Sequence, residues 1–293
     1  MRVVIPFAPG GSTDILARLS CQILTQALAQ SAVADNVTGA GGTIGAQRVL
    51  SASADGYTLL AGTPGPITIN PLLLPDITYD AAKDFRGVVF MGNSPAVVVV
   101  RKDSPIASFK DLLATAKATP NKLTYASAGI GSFAHLSGEL LNWRAGTKMR
   151  HVPYRGTAPA ATDLLGGRVD LMVENYPSVQ SYLAAGQMRA LAVGTLQPTS
   201  LLPGVPTVAQ EGIADFESTS WFGLLVRAGT KQASVDAVNA AINAGLSQAS
   251  VRQQLAQLGV EPVGGTSQAF DQYLASKLAE NRQLIAAANI KIN

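Results

Sequence analysis

The stretch "IPFAPGGSTDILARL" at residues 5–19 joins the end of an apolar run to the start of an amphipathic helix. The run Val3 to Ile5 is typical of a buried strand, and the apolar residues of Thr13 to Gln30 recur with helical period. Gly10 and Gly11 lie between these two segments. A strand that leads through a glycine loop into a helix is one unit of a parallel α/β fold.

The same order of elements recurs along the chain. Residues 122–141 predict strand, glycine loop and helix, and residues 150–175 predict strand, turn, helix and strand. The last 60 or so residues are predicted to be mostly helical. Short β-branched runs alternating with helical stretches predict an α/β fold with mixed sheets flanked by helices.

The length of 293 residues is ample for two domains. We expect a nested arrangement, with lobe 1 formed by residues 1–100 and 223–293 and lobe 2 by residues 101–222. Two strands, near 96–101 and 221–227, are expected to carry the chain from one lobe to the other. Two such crossings predict a hinge and a ligand cleft between the lobes.

Composition excludes several classes of function. The net charge is +3 without a basic cluster, which argues against a nucleic-acid partner. Two histidines and no acidic cluster argue against a metal site, and Cys21, the single cysteine, is expected to be a buried core residue. The sequence "GAGGTIG" at 39–45 has the wrong glycine spacing for a dinucleotide fingerprint, so we interpret it as a packed helix start and expect no cofactor.

The glycines of the opening stretch favour an anion site. A helix N-terminus offers unpaired amides and a partial positive charge, and glycine lets a ligand approach them closely. The segment from Phe7 through Pro9, Gly10 and Gly11 to Ser12 and Thr13 therefore has the composition of an anion-binding loop at the carboxyl end of a strand.

A second loop of similar composition runs from Ser127 through Gly131 to Ser132. A single glycine pair after a strand is more often a plain turn, but its recurrence in the other lobe favours binding. Thr63 adds a polar group at the end of another strand. Thr157 is expected to cap a helix, and Arg155 is the best candidate for a cation at the cleft.

A catalytic alternative depends on Ser132 and His135, which are three residues apart on one predicted helix. They could act as nucleophile and base in a hydrolase. However, the Gly-x-Ser-x-Gly pattern is missing around Ser132 and no acid is placed to orient the histidine. A ligand-facing hydroxyl and a structural or ligand-contacting imidazole are the favoured interpretation.

Eight segments, in order, resemble one known family. They are "PFAPGGSTD", "GAGGTIGA…ADGYTLL", "YDAAKDF", "YASAGIGSFAHLSGELL", "VPYRGTAPAATDLLGGRVDLM", "LPGVPTVAQEG", "SWFGLLVRAGT" and "EPVGGT". Together they resemble the Bug (TctC-like) family of periplasmic solute receptors, which serve tripartite tricarboxylate transporters. The likeness spans nearly the whole chain.

The resemblance implies a type II-like, two-lobed periplasmic binding protein that closes on a carboxylate. Transferred position by position, it implies ligand contacts from Phe7, Pro9, Gly10 and Gly11 in the first loop, and from Ser127, Gly131, Ser132 and His135 in the second. The segments around Thr157, Ala158 and Asn175 are implied to face the far end of the ligand and set specificity. Arg155 departs from the family pattern, in which lysine is common.

The function implied is a non-enzymatic, monomeric receptor that delivers a small organic carboxylate to the membrane permease subunits of a transporter. The chain begins directly with the predicted first strand, so we expect a periplasmic protein whose export signal has been removed. Di- and tricarboxylates, acidic amino acids, nicotinate-like acids and aromatic diacids all remain open as ligands. A hydrolase, or a carboxylate sensor that is not coupled to transport, remains the alternative.

Overall fold

A computed structural model describes residues 1–154 and 156–290 of the chain. Arg155, one of the predicted site residues, lies outside the described residues. The chain divides into two compact units. Unit 1 consists of Met1–Asn93 and Trp221–Ile285, and unit 2 consists of Ser94–Ser220 with the described residues from Ala286 onward.

Helices and strands alternate along the chain, which confirms the predicted α/β class. The elements of unit 1, or beginning in it, are β1 (Arg2–Ile5), α1 (Ser12–Leu28), β2 (Val33–Asn36), α2 (Thr43–Leu50), β3 (Thr58–Gly62), α3 (Asn70–Leu73), α4 (Ala81–Asp84), β4 (Phe85–Arg101), α9 (Gln232–Leu246), α10 (Ala249–Gln257), β10 (Glu261–Pro262) and α11 (Ser267–Ala287). Those of unit 2, or beginning in it, are α5 (Phe109–Ala118), β5 (Thr124–Ser127), α6 (Phe133–Ala145), β6 (Arg150–Pro153), α7 (Thr157–Leu165), β7 (Leu171–Asn175), α8 (Tyr176–Ala184), β8 (Met188–Val193) and β9 (Thr219–Arg227).

One long strand, β4, contains the strand predicted near 96–101 and begins much earlier, at Phe85. Gly92 and Asn93 near its middle break the apolar pattern in the sequence. In the fold they pair with β10, since Asn93 is opposite Glu261 and Gly92 is opposite Pro262. A Cβ on Gly92 would lie 2.5 Å from the carbonyl oxygen of Glu261, so glycine permits this close pairing.

The sheet of unit 1 is mixed. Strand β1 lies between β2 and β3 and runs parallel to both. Strand β9 is antiparallel to β3, and β10 is antiparallel to β4. Because β1, β2 and β3 are parallel, their carboxyl ends at Ile5, Asn36 and Gly62 meet at one edge of the sheet.

The sheet of unit 2 has the same property. Strand β5 lies between β6 and β7 and runs parallel to both, whereas β4 is antiparallel to β7 and β8. The carboxyl ends of the parallel strands, at Ser127, Pro153 and Asn175, therefore share one edge. In α/β sheets this edge is the usual position of a ligand site.

Each sheet is buried on both faces, which explains its near-continuous apolar strands. In unit 1 one core contains Leu24 and Ile242, and the other contains Trp221 and Phe270. Cys21 is buried in the first of these cores, as predicted. In unit 2 the largest fully buried side chains are those of Tyr125, Phe109 and Phe216. Among the described residues, the helices are too short or too polar to span a bilayer.

Candidate ligand-binding site

The first predicted loop follows β1 and leads directly into α1. Gly11 is the residue that precedes the first turn, and no side chain of the described residues caps this helix start. A Cβ built on Gly11 meets nothing within 4 Å. The first-turn amides and the partial positive charge of a 17-residue helix therefore lie beside open space, which suits an anion.

The Asp14 side chain holds this loop in its conformation through hydrogen bonds. Its buried carboxylate accepts hydrogen bonds from the Gly10 amide at 3.0 Å, from Arg18 Nε at 3.0 Å and from Asn36 Nδ2 at 2.9 Å. The hydrogen bond from Arg18, supported by those from Gly10 and Asn36, lowers the pKa of Asp14 to about 2. Asp14 is thus ionised at neutral pH and connects the loop to α1 and β2.

Asn36 braces the first loop, a role that sequence reasoning missed. Its Nδ2 also donates to the carbonyl oxygen of Phe7 at 3.0 Å, so it ties the start of the loop to Asp14. The available signal was its position at the end of β2, next to the end of β1. The pairing of Ile5 with Asn36 places it there.

Thr63 follows β3 at the same edge of the sheet and is buried. Its hydroxyl oxygen has no hydrogen-bond partner among the described residues. A buried hydroxyl without a partner is costly, so this group is a candidate for a bond to water or ligand. Ser12 and Thr13 lie in the first turn of α1, half-buried and buried respectively.

The "GAGGTIG" segment is the packed helix start that the sequence predicts. Added Cβ atoms would lie 2.8 Å from Pro6 at Gly45, and 3.2 Å from both Phe7 and Pro6 at Gly42. The glycines of this segment therefore allow α2 to pack on the chain after β1.

The second predicted loop connects β5 to α6 in unit 2. Gly129 and Gly131 have φ of 130° and 74°, which side-chain-bearing residues rarely adopt. Ser132 caps α6 by accepting the backbone N–H of His135 at 3.2 Å. Its own hydroxyl hydrogen stays available for a ligand, because a hydroxyl can donate and accept together. The Gly131 amide donates to Nδ1 of His135.

A stack of aromatic rings lies beneath this loop. The ring centroids of His135 and His151 are 4.0 Å apart and the rings are nearly parallel, and the Tyr125 ring also stacks on His151. His151 Nε2 lies 2.6 Å from the Ser127 hydroxyl, which also bonds to the backbone of Gly129. Burial lowers the pKa of His135 to about 4 and that of His151 to about 3, so both are neutral. Ser127 and His135 thus brace the loop.

The third segment joins β6 to α7. Gly156, not Thr157, precedes the first turn of α7, so the predicted threonine cap is wrong. Glu174 draws the Thr157 hydroxyl away from the helix, since Thr157 Oγ1 donates to Glu174 Oε2 at 3.1 Å. The start of α7 has no side-chain cap among the described residues, and Ala158 is exposed beside it. Asn175 caps α8 by accepting the Ser178 amide.

The arrangement favours binding over catalysis. Ser132 Oγ bonds the backbone of His135 while the imidazole Nδ1 accepts from Gly131, so the nucleophile–base pair of the hydrolase alternative is not formed. The described residues contain no group of three or more potential metal ligands. Each unit instead presents a helix start that follows a glycine and has no side-chain cap among the described residues, at the carboxyl edge of its parallel strands. Such an edge binds anions through main-chain amides.

Comparison with known proteins identifies relatives over the full length. The family model described as "Tripartite tricarboxylate transporter family receptor" matches residues 16–290. The chain is 35% identical to the protein BugT of Bordetella pertussis over 279 residues, which is 95% of this chain and 86% of BugT.

Solved structures agree with this result. An R. palustris protein solved with adipate is 36% identical to this chain in sequence. The match covers 99% of this chain and 97% of the R. palustris chain, with a TM-score of 0.91. MatC from Rhodopseudomonas palustris with bound malate is 30% identical, with coverages of 97% and 98% and a TM-score of 0.87. The periplasmic binding protein BugD is 31% identical, with coverages of 99% and 98% and a TM-score of 0.87. Of these structures, BugD is a periplasmic binding protein, and the other two hold the dicarboxylates adipate and malate.

Proposed function

Because the chain belongs to the family of tripartite tricarboxylate transporter receptors, we propose that it binds a small aliphatic dicarboxylate in the periplasm and delivers it to the membrane permease of such a transporter. We further propose that the receptor works as a monomer. The adipate and malate complexes of two relatives support the choice of a dicarboxylate.

The observation that carries the proposal is the pair of uncapped, glycine-preceded helix starts, α1 in unit 1 and α7 in unit 2. We propose that each of these helix starts can bind a carboxylate group of a ligand. In unit 1 the amides after Gly11 and the hydroxyls of Ser12, Thr13 and Thr63 are the proposed donors. Several charge-assisted bonds acting together are needed, because each contributes only about 1.5–3 kcal/mol.

In unit 2 the hydroxyl of Ser132 and the amides of Thr157 and Ala158 are the proposed donors, with Asn175 beside them; Arg155 stays a candidate from sequence alone. The other proposed site residues shape the loops or cover the ligand, since many of their polar groups already have partners in the protein. These are Phe7, Pro9, Gly10, Ser127, Gly131 and His135.

A thermal-shift panel tests the ligand class. Succinate, malate, adipate and citrate are compared with dimethyl adipate, which has the same chain without the charges. A diacid present at one hundred times its Kd stabilises the protein by about 2.7 kcal/mol, whereas the diester leaves the Tm unchanged. If no di- or tricarboxylate raises the Tm, the proposed ligand class is wrong.

Uptake tests the proposed transport role. Cells that carry the matching permease subunits should accumulate the labelled diacid only when this receptor is present. Binding in solution without receptor-dependent uptake would favour the sensor alternative.

A further inference from the structure

A buried carboxylate lies beside the proposed carboxylate site at the start of α7. Glu174, at the end of β7, is only 3% exposed. Its Oε2 accepts the hydroxyl of Thr157 at 3.1 Å, and its Oε1 accepts the amide of Asn175 at 2.8 Å. Thr157 begins α7 and Asn175 caps α8, so one carboxylate is bonded to the start of α7, which the proposed function assigns to the ligand, and to the start of α8.

The Thr157 hydroxyl carries a single hydrogen. While Glu174 is ionised, that hydrogen is donated to Oε2, and Thr157 can only accept from a ligand. A ligand carboxylate arriving there meets an oxygen without a hydrogen and a second negative charge close behind it. When Glu174 is protonated on Oε2, it becomes the donor to Thr157, and the threonine hydrogen is free to bond the ligand.

We propose that Glu174 takes up one proton when a ligand carboxylate binds at the start of α7, and that Glu174 thereby sets the direction in which the Thr157 hydroxyl donates. Glu174 is then a positioning residue for the ligand. This inference rests on the proposed function, because it requires a ligand carboxylate bound at the start of α7.

The surroundings of Glu174 fit such a proton uptake. Burial raises the pKa of Glu174 to about 7, against the opposing effect of its bonds to Asn175 and Thr157. A nearby ligand carboxylate raises the pKa further, because two like charges at one site disfavour each other.

Other titratable groups lie on the elements packed against β7. Within the described residues, none of these groups contributes to the raised pKa of Glu174. These groups are Arg86 and Arg101 on β4, Tyr125 on β5, His135, Glu139 and Arg144 on α6, Asp163 on α7, and Tyr176 and Tyr182 on α8. Arg155, outside the described residues, is two positions before Thr157, so the experiment includes an Arg155→Gln variant.

Calorimetry of adipate and malate binding, run at each pH in two buffers of different ionisation heat, counts the protons taken up. From pH 7 to pH 9 an aliphatic diacid is already fully ionised, so any proton goes to the protein. We expect uptake to approach one proton at pH 8. We also expect the affinity to fall by about tenfold per pH unit above pH 7.

The Glu174→Gln variant is the matched control. Its amide can accept from Asn175 and donate to Thr157, as the protonated acid does. We therefore expect it to bind the diacid with no proton uptake and with an affinity that is constant from pH 7 to pH 9. Thr157→Val should bind more weakly and lose most of the pH dependence, and Thr157→Ser should restore both.

Each outcome separates this inference from the proposed function. A diacid that binds with no proton uptake and equal affinity at pH 7 and pH 9 overturns the inference and leaves the function intact. Proton uptake that persists in Glu174→Gln, or that disappears only in Arg155→Gln, also overturns it. If Glu174→Gln does not fold, the Thr157 variants decide the question. Failure of all diacids to bind at pH 6 refutes the proposed function itself.

Discussion

Ser127 Oγ and His151 Nε2 lie 2.6 Å apart, although 24 residues separate them in the chain. They come together because β5 and β6 are parallel neighbours, with Tyr125 opposite His151 and Ser127 opposite Pro153. The Ser127 hydroxyl also accepts the Gly129 amide, so this bond connects the core of unit 2 to the second glycine loop.

Ser127→Ala is expected to destabilise the protein by about 1–3 kcal/mol, because it leaves a buried imidazole nitrogen and the Gly129 amide without this partner. Urea unfolding followed by circular dichroism measures the change. Ser53→Ala, at an exposed serine, is the control and should change stability by about 0.5 kcal/mol or less. Equal effects of the two variants would contradict the bracing role of Ser127.

Acid is expected to destabilise the fold through His135 and His151. Their pKa values in the fold, about 4 and about 3, lie below the ordinary value of 6.5. Between pH 6.5 and pH 4 the unfolded chain therefore binds more protons, and the free energy of unfolding falls as the pH falls. For the two histidines together we expect a loss of about 5 kcal/mol over this range.

Urea unfolding at pH 4, 5 and 6.5 measures the acid effect. Glu174 acts in the opposite direction, since its raised pKa favours the fold below about pH 7. The Glu174→Gln background therefore shows the histidine contribution most clearly. In that background, His135→Gln should reduce the slope, and an unchanged slope would assign the acid sensitivity to other groups.

Gly11→Ala is expected to separate binding from folding. Gly11 has φ of −80° and open space where a Cβ would lie, so alanine strains neither backbone nor packing. It does place a methyl group where the ligand must approach, and we expect the affinity for the diacid to fall at least tenfold with the Tm of the free protein nearly unchanged.

Gly45→Ala is the contrasting variant. Its Cβ would lie 2.8 Å from the Pro6 backbone, so this change should lower the Tm sharply. Melting curves with and without diacid compare the two glycines. A Gly11→Ala protein that binds normally would show that the first loop is only a turn.

Thr63→Val is expected to stabilise the free protein or leave it unchanged. The Thr63 hydroxyl is buried without a partner among the described residues, so replacing it by a methyl group removes a desolvation cost. If the hydroxyl bonds the ligand, the affinity falls at the same time by about tenfold or more. A variant that is less stable but binds normally would assign the hydroxyl to an internal bond.

The sequence by itself determined the α/β class, the receptor family and the two glycine loops. Each of these is a local pattern. The apolar run Val3 to Ile5, followed by Gly10 and Gly11, indicates a strand and a loop that leads into a helix, whatever the rest of the chain contains. The packed start of α2 at Gly42 was predictable for the same reason, since glycine spacing excluded the alternative.

Only the tertiary structure decided which side chains brace those loops. Asn36 reaches Asp14 and Phe7 because β1 and β2 are paired, and Glu174 displaces Thr157 from its expected cap because β7 ends beside α7. Strand register joins residues 17 to 29 positions apart in these contacts, and the hydropathy of one segment does not encode its partner. The sequence predicts where backbone amides are exposed, and the packed sheet determines which carboxylates, amides and imidazoles hold them in place.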